Sequence, residues 1–260
     1  MSQLDKSIVF QTLLKGTAFE SFMVYDNSPT YYEFDKTLLP PNAVYIRNYE
    51  NGGVSTAYNT GAQYALQHGY THVLLLDQDT HFPLDAAKIY FKNLNDSIIC
   101  SPTIITKKGV PFSPCSRKGF KTKAVSLPSG VYNIRDYSPI NSGLCIPIKI
   151  FQKVGGYNDN VKLDFADFEF ISRCRKECLY LNLLPFVAVQ DFSNDEQNVK
   201  KLLSRYRLYI ESALAANWVT ISETILMRVE VLLHTFSLIK RTRSLKFLKV
   251  YLTKFFFRFK

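Results

Sequence analysis

Two carboxylates follow the most apolar run of the chain, in the stretch HVLLLDQDT at residues 72–80. Asp77 and Asp79 stand one residue apart, where a predicted strand ends. Hard divalent cations such as Mg²⁺ and Mn²⁺ prefer carboxylate oxygens and complete their shell with water and substrate phosphate. Asp77 and Asp79 are therefore candidates for a cation site, although two acids after a strand are by themselves more typical of a turn.

A second acidic cluster lies in KLDFADFEFISRCRK, residues 162–176. On a helix Asp164 and Asp167 share a face, and Glu169 and Arg173 are spaced for an ion pair. Asp164 or Asp167 is left without an evident local partner. An aspartate whose pKa is raised by burial near other carboxylates can accept a proton from a hydroxyl group. Taken alone, the cluster fits a solvated helix better than a site.

Motifs for other chemistries are missing from the sequence. The four histidines have no zinc-ligand spacing, and neither the Gly-x-Ser-x-Gly elbow nor the Gly-x-x-x-x-Gly-Lys loop occurs. The five cysteines are irregularly spaced and are expected to be reduced thiols. Cys174 and Cys178 share a predicted helix face, but without a second pair they favour buried thiols over a zinc site.

The elements that would position these acids follow an α/β pattern. Residues 21–29 and 42–48 are predicted strands, residues 54–69 a helix that Gly69 ends, and residues 71–77 a strand with both faces covered. Continuous apolar runs in this order favour a mostly parallel sheet. Ligands of such sheets bind at the carboxyl ends of strands, and these ends carry Asp26, Asn27, Asn48, Asp77 and Asp79.

The helix after Gly52 and Gly53 has two explanations of similar weight. Small residues at its start let its free amides approach an anionic ligand, or let it pack tightly on the sheet. Further along, the pattern predicts a helix at 84–94, a strand at 97–105 and a loop-rich stretch at 107–128. It then predicts a helix after 141–147 that ends near Gly155 and Gly156, a helix at 163–178 and a strand at 180–189. Helices are predicted from a cap within 194–197 to the end, with a break between 240 and 244.

Positive charge is concentrated in the last quarter of the chain. The net charge is +10, and from Lys200 onward there are 13 Lys and Arg against 3 Asp and Glu, which leaves the preceding body neutral. The last helix is predicted to carry Lys246, Lys249, Thr253, Lys254 and Lys260 on one side and mostly Phe247, Leu248, Tyr251, Leu252, Phe255, Phe256 and Phe259 on the other. Such a helix suits either an anionic membrane surface or packing on the body with its basic face in water.

Five segments in order resemble the family 2 nucleotide-sugar glycosyltransferases of GT-A fold, and the rhamnosyltransferase-like enzymes of bacterial surface polysaccharides most of all. The resemblance covers roughly residues 4–193 and rests on VYDNSP, NYENGGVSTAYNTGAQYAL, HVLLLDQDT, INSGLCIPIKIFQKVGGYND and LDFADFEFISRCR. It implies an α/β fold with a Rossmann-like mixed sheet flanked by helices. The implied catalytic domain spans residues 1–195, and a basic helical extension spans 196–260.

The resemblance also implies roles for residues. Asp167 matches the carboxylate that activates the acceptor and is the candidate general base. Asp77 and Asp79 match the metal and diphosphate motif, for Mn²⁺ or Mg²⁺, with Asp79 the expected direct ligand. The nucleotide and donor site is implied to include Asp26, Asn27, Asn48, Gly53, Asn59, Asp77 and Gln78. The donor-sugar and acceptor pocket is implied to include Asn141, Ser142, Gly143, Asp164, Glu169 and Arg173.

The implied activity is transfer of a sugar from a nucleotide-diphosphate donor to a lipid-linked or oligosaccharide acceptor. The likeness suggests rhamnose as the sugar and O-antigen or other surface polysaccharide synthesis as the role. One inverting displacement needs one basic carboxylate, unlike most glycoside hydrolases. With no secretory signal and no run of eighteen apolar residues, we expect a cytoplasmic protein, peripheral on the inner face of the bacterial membrane. Nucleic acid is not an expected partner, although the positive net charge makes a nucleic-acid-binding protein an alternative.

Two departures from the family pattern bear on activity. The family opens with a strand, whereas a helix is predicted here within a few residues of Met1, so part of the nucleotide-base wall is expected to be missing unless SIVFQTLL, residues 7–14, forms that strand. Many relatives carry a histidine after the last sheet strand, where this chain has Gln190 and Asp191. An impaired homologue that serves as a binding or scaffold subunit is therefore the alternative.

Overall fold

The chain folds into a mixed α/β arrangement. The computed structural model describes residues 7–14, 19, 21–28, 35, 37, 39–116, 122–191 and 198–256. Its strands are β1 (Phe22–Asp26), β2 (Ala43–Arg47), β3 (His72–Leu74), β4 (Thr80–His81), β5 (Ile99–Thr106), β6 (Pro111–Ser113), β7 (Cys115–Ser116), β8 (Lys123–Ala124), β9 (Gly130–Asn133), β10 (Tyr137–Ser138), β11 (Cys145–Pro147) and β12 (Tyr180–Gln190). Its α-helices are α1 (Gly53–Gln67), α2 (Ala86–Lys92), α3 (Ile148–Val154), α4 (Ala166–Cys174), α5 (Val199–Ala215), α6 (Ile221–Thr242) and α7 (Lys246–Val250), and π-helical turns lie at Phe10–Leu14 and Tyr251–Phe255.

The main sheet has the order β3-β11-β5-β12-β4, with β6 on β5 and β9 on β12. The expectation of a mostly parallel sheet is wrong. In the described part of the chain β5 and β12 pair in parallel, as β1 and β2 do, but the other pairings are antiparallel. A continuous apolar run reports that both faces of a strand are buried, and that burial does not depend on the direction of the neighbouring strand.

β1 and β2 form a separate two-stranded sheet. The alternative in which residues 7–14 supply a strand is wrong, because Phe10–Leu14 is helical. Val9 and Leu13 belong to one hydrophobic cluster with Phe82. Among the described residues, no strand pairs with the second edge of β1 or with the edge of β3 opposite β11.

β12 lies between β5 and β4 in the main sheet, and its end carries a site residue. It runs parallel to β5, with a register shift between Leu183 and Val187. Pro185 lies within this shift and has no N–H to donate to the ladder, so a bulge there is expected. Beyond the bulge the pairing resumes and places Gln190 opposite Thr106 of β5 and Thr80 of β4.

Most predicted elements are confirmed, with shorter bounds. The segment at 107–128 also holds the short strands β6 to β8, and the helix predicted at 163–178 is the shorter α4. The predicted cap segment 194–197 lies outside the described residues; Asn198 caps α5 by accepting from the amides of Lys200 and Lys201. A second break at 216–220 was not predicted, and there Thr220 starts α6 with a capping box to Glu223.

The C-terminal helices pack on the body. One hydrophobic cluster joins Leu75, Phe151 and Phe170 of the body to Tyr206 and Phe247 of the extension. Phe255 of the tail is also buried, whereas Leu252 and Phe256 are exposed; Phe259 and Lys260 lie outside the described residues. Part of the apolar face predicted for the last helix is therefore used for packing. In the described ranges no helix has both the length and the apolar character that a membrane span requires.

Phe247→Ala is expected to lower the free energy of unfolding by about 3–5 kcal/mol, because Phe247 is fully buried and removal of its ring leaves a cavity. Its ring meets Tyr206 edge to face at a centroid distance of 5.5 Å. Phe256→Ala is the matched control, since Phe256 is 58% exposed and should change stability by less than about 0.5 kcal/mol. Equal effects of the two substitutions in chemical denaturation would show that the tail does not pack as described.

Candidate functional site

Asp77 and Asp79 lie beside Gln190, where β3 and β12 end. The amide nitrogen Nε2 of Gln190 is 3.4 Å from Oδ2 of Asp77 and 3.3 Å from Oδ1 of Asp79. The second oxygen of Asp77 accepts from the hydroxyl of Tyr58 at 3.1 Å. The backbone amide of Asp191 donates to the carbonyl of Asp79 at 3.1 Å and holds this loop against the end of β12.

Burial disfavours the ionised form of both carboxyl groups. It raises the pKa of Asp77 to about 6, with a further contribution from the charge of Asp79, while the bonds from Tyr58 and Gln190 act in the opposite direction. Burial also raises the pKa of Asp79, and Gln190 again opposes this. Two carboxylates held this way favour a positive charge between them.

Asp167 is the third carboxylate of this region. It lies in the first turn of α4 and is partly accessible. Burial raises the pKa of Asp167 to about 7, although the amide of Phe168 donates to it at 2.8 Å and opposes the rise; the charges of Asp164 and Asp77 raise it further. A carboxyl group with a pKa near neutral is suited to accept a proton.

Two tyrosines join the carboxylates to the loop before β11. The rings of Tyr58 and Tyr157 lie 5.1 Å apart, and the hydroxyl of Tyr157 donates to Oδ1 of Asn141 at 2.6 Å. Next to it, Ser142 bonds Thr80 at 2.7 Å, so the loop is fixed to the strand that follows Asp79. Gly143 has φ of +78° and no room for a Cβ beside Pro102. The structure thus brings the predicted residues Asn141, Ser142 and Gly143 next to the aspartates.

The predicted nucleotide residues form a second group at the end of β1. Asp26 is buried; burial alone would raise its pKa, but hydrogen bonds from Ser28 and Tyr45 together with the charge of Arg47 lower it. Nδ2 of Asn27 donates to the carbonyl of Gly53 at 3.2 Å, and the amide of Asn48 donates to the carbonyl of Asp26 at 2.9 Å.

The start of α1 is explained by packing. The amide of Val54 donates to the carbonyl of Lys162 at 2.8 Å, and Ser55 donates to Val161 at 2.5 Å. Gly53 has φ of +85°, and a Cβ there would lie 2.3 Å from the Lys162 carbonyl. Close packing alone therefore accounts for this glycine. Tyr58 lies five residues further along α1, roughly 8 Å away, so α1 connects the two groups of residues.

Five predicted residues are engaged in structural contacts. Asn59 accepts from the amide of Tyr157 at 2.7 Å and donates to its carbonyl at 2.9 Å. Both oxygens of the buried Glu169 accept from Arg173, which confirms the predicted ion pair. Asp164, which has no evident partner in the local sequence, pairs with Arg205 of α5 at 2.8 Å. The two residues are 41 positions apart, so local spacing does not indicate this pair. Gln78 is exposed, and its carbonyl accepts from the amides of Ile8 and Val9.

Comparison with known proteins relates the chain to glycosyltransferases. No family model matches it. It is 26% identical over 141 residues to the dTDP-rhamnosyl transferase RfbF of Shigella flexneri, covering 52% of this chain and 47% of RfbF. It is 25% identical over 201 residues to the low-salt glycan biosynthesis hexosyltransferase Agl10 of Haloferax volcanii, covering 73% of this chain and 64% of Agl10. The chain thus spans about half to two thirds of these relatives.

Solved structures show the fold. TarS 1-349 of S. aureus superposes with a TM-score of 0.52 at 14% identity, covering 91% of this chain and 70% of TarS 1-349. The same protein in complex with UDP gives 0.51 at 15% identity, with the same coverage. The chain has the GT-A fold. The expected mixed α/β sheet with flanking helices and the resemblance to nucleotide-sugar glycosyltransferases are confirmed.

Within this GT-A fold, Tyr58 and Tyr157 were not predicted as site residues. Tyr58 follows Val54 by one helical turn and could have been placed on the sheet-facing side of α1. Nothing in the sequence indicates that Tyr157 meets Asn141, because the bond joins two loops through tertiary packing. Arg205 of the extension was missed for the same reason.

Proposed function

We propose that this chain transfers a sugar from a nucleotide-diphosphate donor to an acceptor hydroxyl, with inversion at the anomeric carbon. The observation that carries the proposal is the convergence of Asp77 and Asp79 with Asp167 in one region of a GT-A fold. The first two carboxylates suit the diphosphate end of the donor, and Asp167 has a pKa of about 7 that suits a general base.

The reaction requires the protein to accept one proton. As the acceptor oxygen bonds to the anomeric carbon, the bond from that carbon to the diphosphate oxygen breaks, and the acceptor proton moves to the carboxylate of Asp167. Tyr157, through its bond to Asn141, fixes the loop at residues 141–143 that we assign to the donor-sugar and acceptor pocket. Arg205 holds Asp164 in place next to the base.

The residues present fit a hard divalent cation, Mn²⁺ or Mg²⁺. Asp77 and Asp79 offer carboxylate oxygens, and the amide oxygen of Gln190 is buried beside them without a partner among the described residues. In the described ranges no three or more His, Cys, Asp or Glu side chains are grouped so that they could hold a metal ion, so water and the donor diphosphate would supply the other ligands. When bound, such a cation offsets the charge that grows on the leaving diphosphate.

A donor panel tests the activity. Release of nucleoside diphosphate is measured with dTDP-rhamnose, UDP-GlcNAc and other nucleotide sugars, with Mn²⁺ or Mg²⁺ and a saccharide acceptor. The name of RfbF supports dTDP-rhamnose as the donor. A lipid-linked acceptor and a role in O-antigen or other surface polysaccharide synthesis are further parts of the proposal. We expect turnover of at least one donor and a loss of about 10²-fold or more with Asp79→Ala. Absence of both turnover and calorimetric binding for every donor would contradict the proposal.

The same chain is proposed to sit on the inner face of the cytoplasmic membrane through its extension. Lys246 and Lys249 of α7 are exposed, as are the nearby apolar side chains of Leu245, Leu252 and Phe256. Exposed lysines beside exposed apolar side chains suit the interface of an anionic bilayer.

Flotation with anionic and neutral liposomes tests this partner. Removal of residues 241–260 would take Phe247 out of the core, so the better variant reverses charge with Lys246→Glu and Lys249→Glu. We expect flotation with anionic liposomes that this variant loses, and no retention of duplex DNA by the wild type. Retention of duplex without flotation would instead favour nucleic acid.

A binding or scaffold subunit without activity is the alternative function. It is favoured by the edges of β1 and β3 that pair with no strand in the described part of the chain, since a nucleotide wall there would be incomplete. Donor binding without turnover in the panel would support it.

A further inference from the structure

The backbone of Gln190 is fixed, and its side-chain amide group can turn. Its backbone lies in β12 between β5 and β4, and the next amide, that of Asp191, donates to the carbonyl of Asp79. The residue is 7% exposed. Rotation about the last side-chain bond exchanges the amide nitrogen and oxygen without moving this backbone.

In the described part of the chain, the nitrogen of the Gln190 side-chain amide has hydrogen-bond partners and its oxygen has none. Nε2 donates toward Asp77 and Asp79, whereas Oε1 is buried and has no hydrogen-bond partner among the described residues. A buried acceptor without a partner is costly, so the present orientation of the amide is not held by a hydrogen bond to its oxygen. The nitrogen meets both carboxylates, so the amide faces them directly.

The distances match those of ligands that share one cation. Nε2 lies 3.4 Å from Oδ2 of Asp77 and 3.3 Å from Oδ1 of Asp79. Adjacent oxygens around an octahedral Mg²⁺, each about 2.1 Å from the ion, are roughly 3 Å apart. An oxygen in the place of Nε2 would therefore need to move only a few tenths of an ångström to join both carboxylates on one ion.

We infer that Gln190 is a two-position amide that becomes a cation ligand. In the metal-free protein its NH₂ group donates to the two carboxylates and reduces their repulsion. When Mn²⁺ or Mg²⁺ binds, the amide turns and Oε1 joins Asp77 and Asp79 as an oxygen ligand. This inference rests on the cation site of the proposed function and adds to it a third protein ligand.

Mn²⁺ binding to the full chain without a donor tests the inference. Free Mn²⁺ is measured by electron paramagnetic resonance during a titration. Gln190→Leu keeps the size of the side chain but cannot bind the ion, so the dissociation constant should rise by about 10- to 100-fold. Gln190→His, which restores a neutral ligand, should recover most of the affinity. Gln63→Leu makes the same change at an exposed position of α1 and should leave binding unchanged.

A second measurement follows the amide itself. In the ¹⁵N-labelled wild type, the side-chain NH₂ signals of Gln190, identified by their absence in Gln190→Leu, should shift on addition of Mg²⁺ as their hydrogen bonds to the aspartates are lost. Unshifted signals at saturating Mg²⁺, or wild-type Mn²⁺ affinity in Gln190→Leu, would overturn the inference. If Asp79→Ala abolishes Mn²⁺ binding while Gln190→Leu does not, the inference fails and the proposed function stands.

Discussion

Asp167→Asn is expected to lower kcat for sugar transfer by about 10²- to 10⁴-fold, because it removes the group that accepts the acceptor proton and leaves the volume of the side chain unchanged. The wild type should show kcat/KM rising with pH through about 7, since burial raises the pKa of Asp167 to that value and only the ionised form acts as a base. Initial rates from pH 5 to 9 with the best donor check both results. A variant that keeps more than a tenth of the activity would exclude Asp167 as the base.

The same substitution should stabilise the metal-free protein at alkaline pH. The folded state holds the proton of Asp167 more tightly than the unfolded chain does, so the associated stability is complete below about pH 4 and is lost as pH rises through about 7. A rise of about three pKa units corresponds to at most about 4 kcal/mol. Thermal unfolding should therefore show a higher Tm for Asp167→Asn at pH 8 and little difference at pH 4. A variant less stable than the wild type at pH 8 would contradict this account.

Arg175→Ala is expected to cost about 3–5 kcal/mol of stability, since it leaves the carboxylate of Glu223 buried without its cation. The Arg175 guanidinium bonds Glu223, the carbonyl of Ile134 at 3.1 Å and the hydroxyl of Ser138 at 3.1 Å. The other oxygen of Glu223 accepts from Ser172 at 2.6 Å. The pair therefore joins α6 of the extension to the end of α4, and chemical denaturation should show its loss.

Arg205→Ala provides the matched control. Arg205 also bridges the extension to the body, through Asp164, but its side chain is 55% exposed, so its removal should cost about 1 kcal/mol or less. The double variant Arg175→Met with Glu223→Leu should recover much of the loss, because it leaves no unpaired buried charge. Similar destabilisation by Arg175→Ala and Arg205→Ala would show that burial does not set the strength of these pairs.

The sequence predicted the elements whose signals are local. Gly69 and the break near Arg243 ended helices as expected, and apolar runs marked β1, β2, β5 and β12. The direction of the strands was not predictable in this way, because burial of both faces produces the same composition in parallel and antiparallel neighbours. The start of α6 also has a local signal, since Thr220 is followed three residues later by Glu223 and the two form a capping box.

By itself the sequence determined the residue types of the candidate site and their order along the chain: Asp26 at the end of a strand, Asp77 and Asp79 shortly after an apolar run, and Asp167 at the start of a helix. Only the tertiary structure decided which of them lie close together and what surrounds them. Burial raises the pKa of Asp77 and Asp167, and Gln190 reaches both Asp77 and Asp79 from a strand more than a hundred residues away. Solvent exclusion and long-range contact have no local pattern, so these properties follow from packing alone.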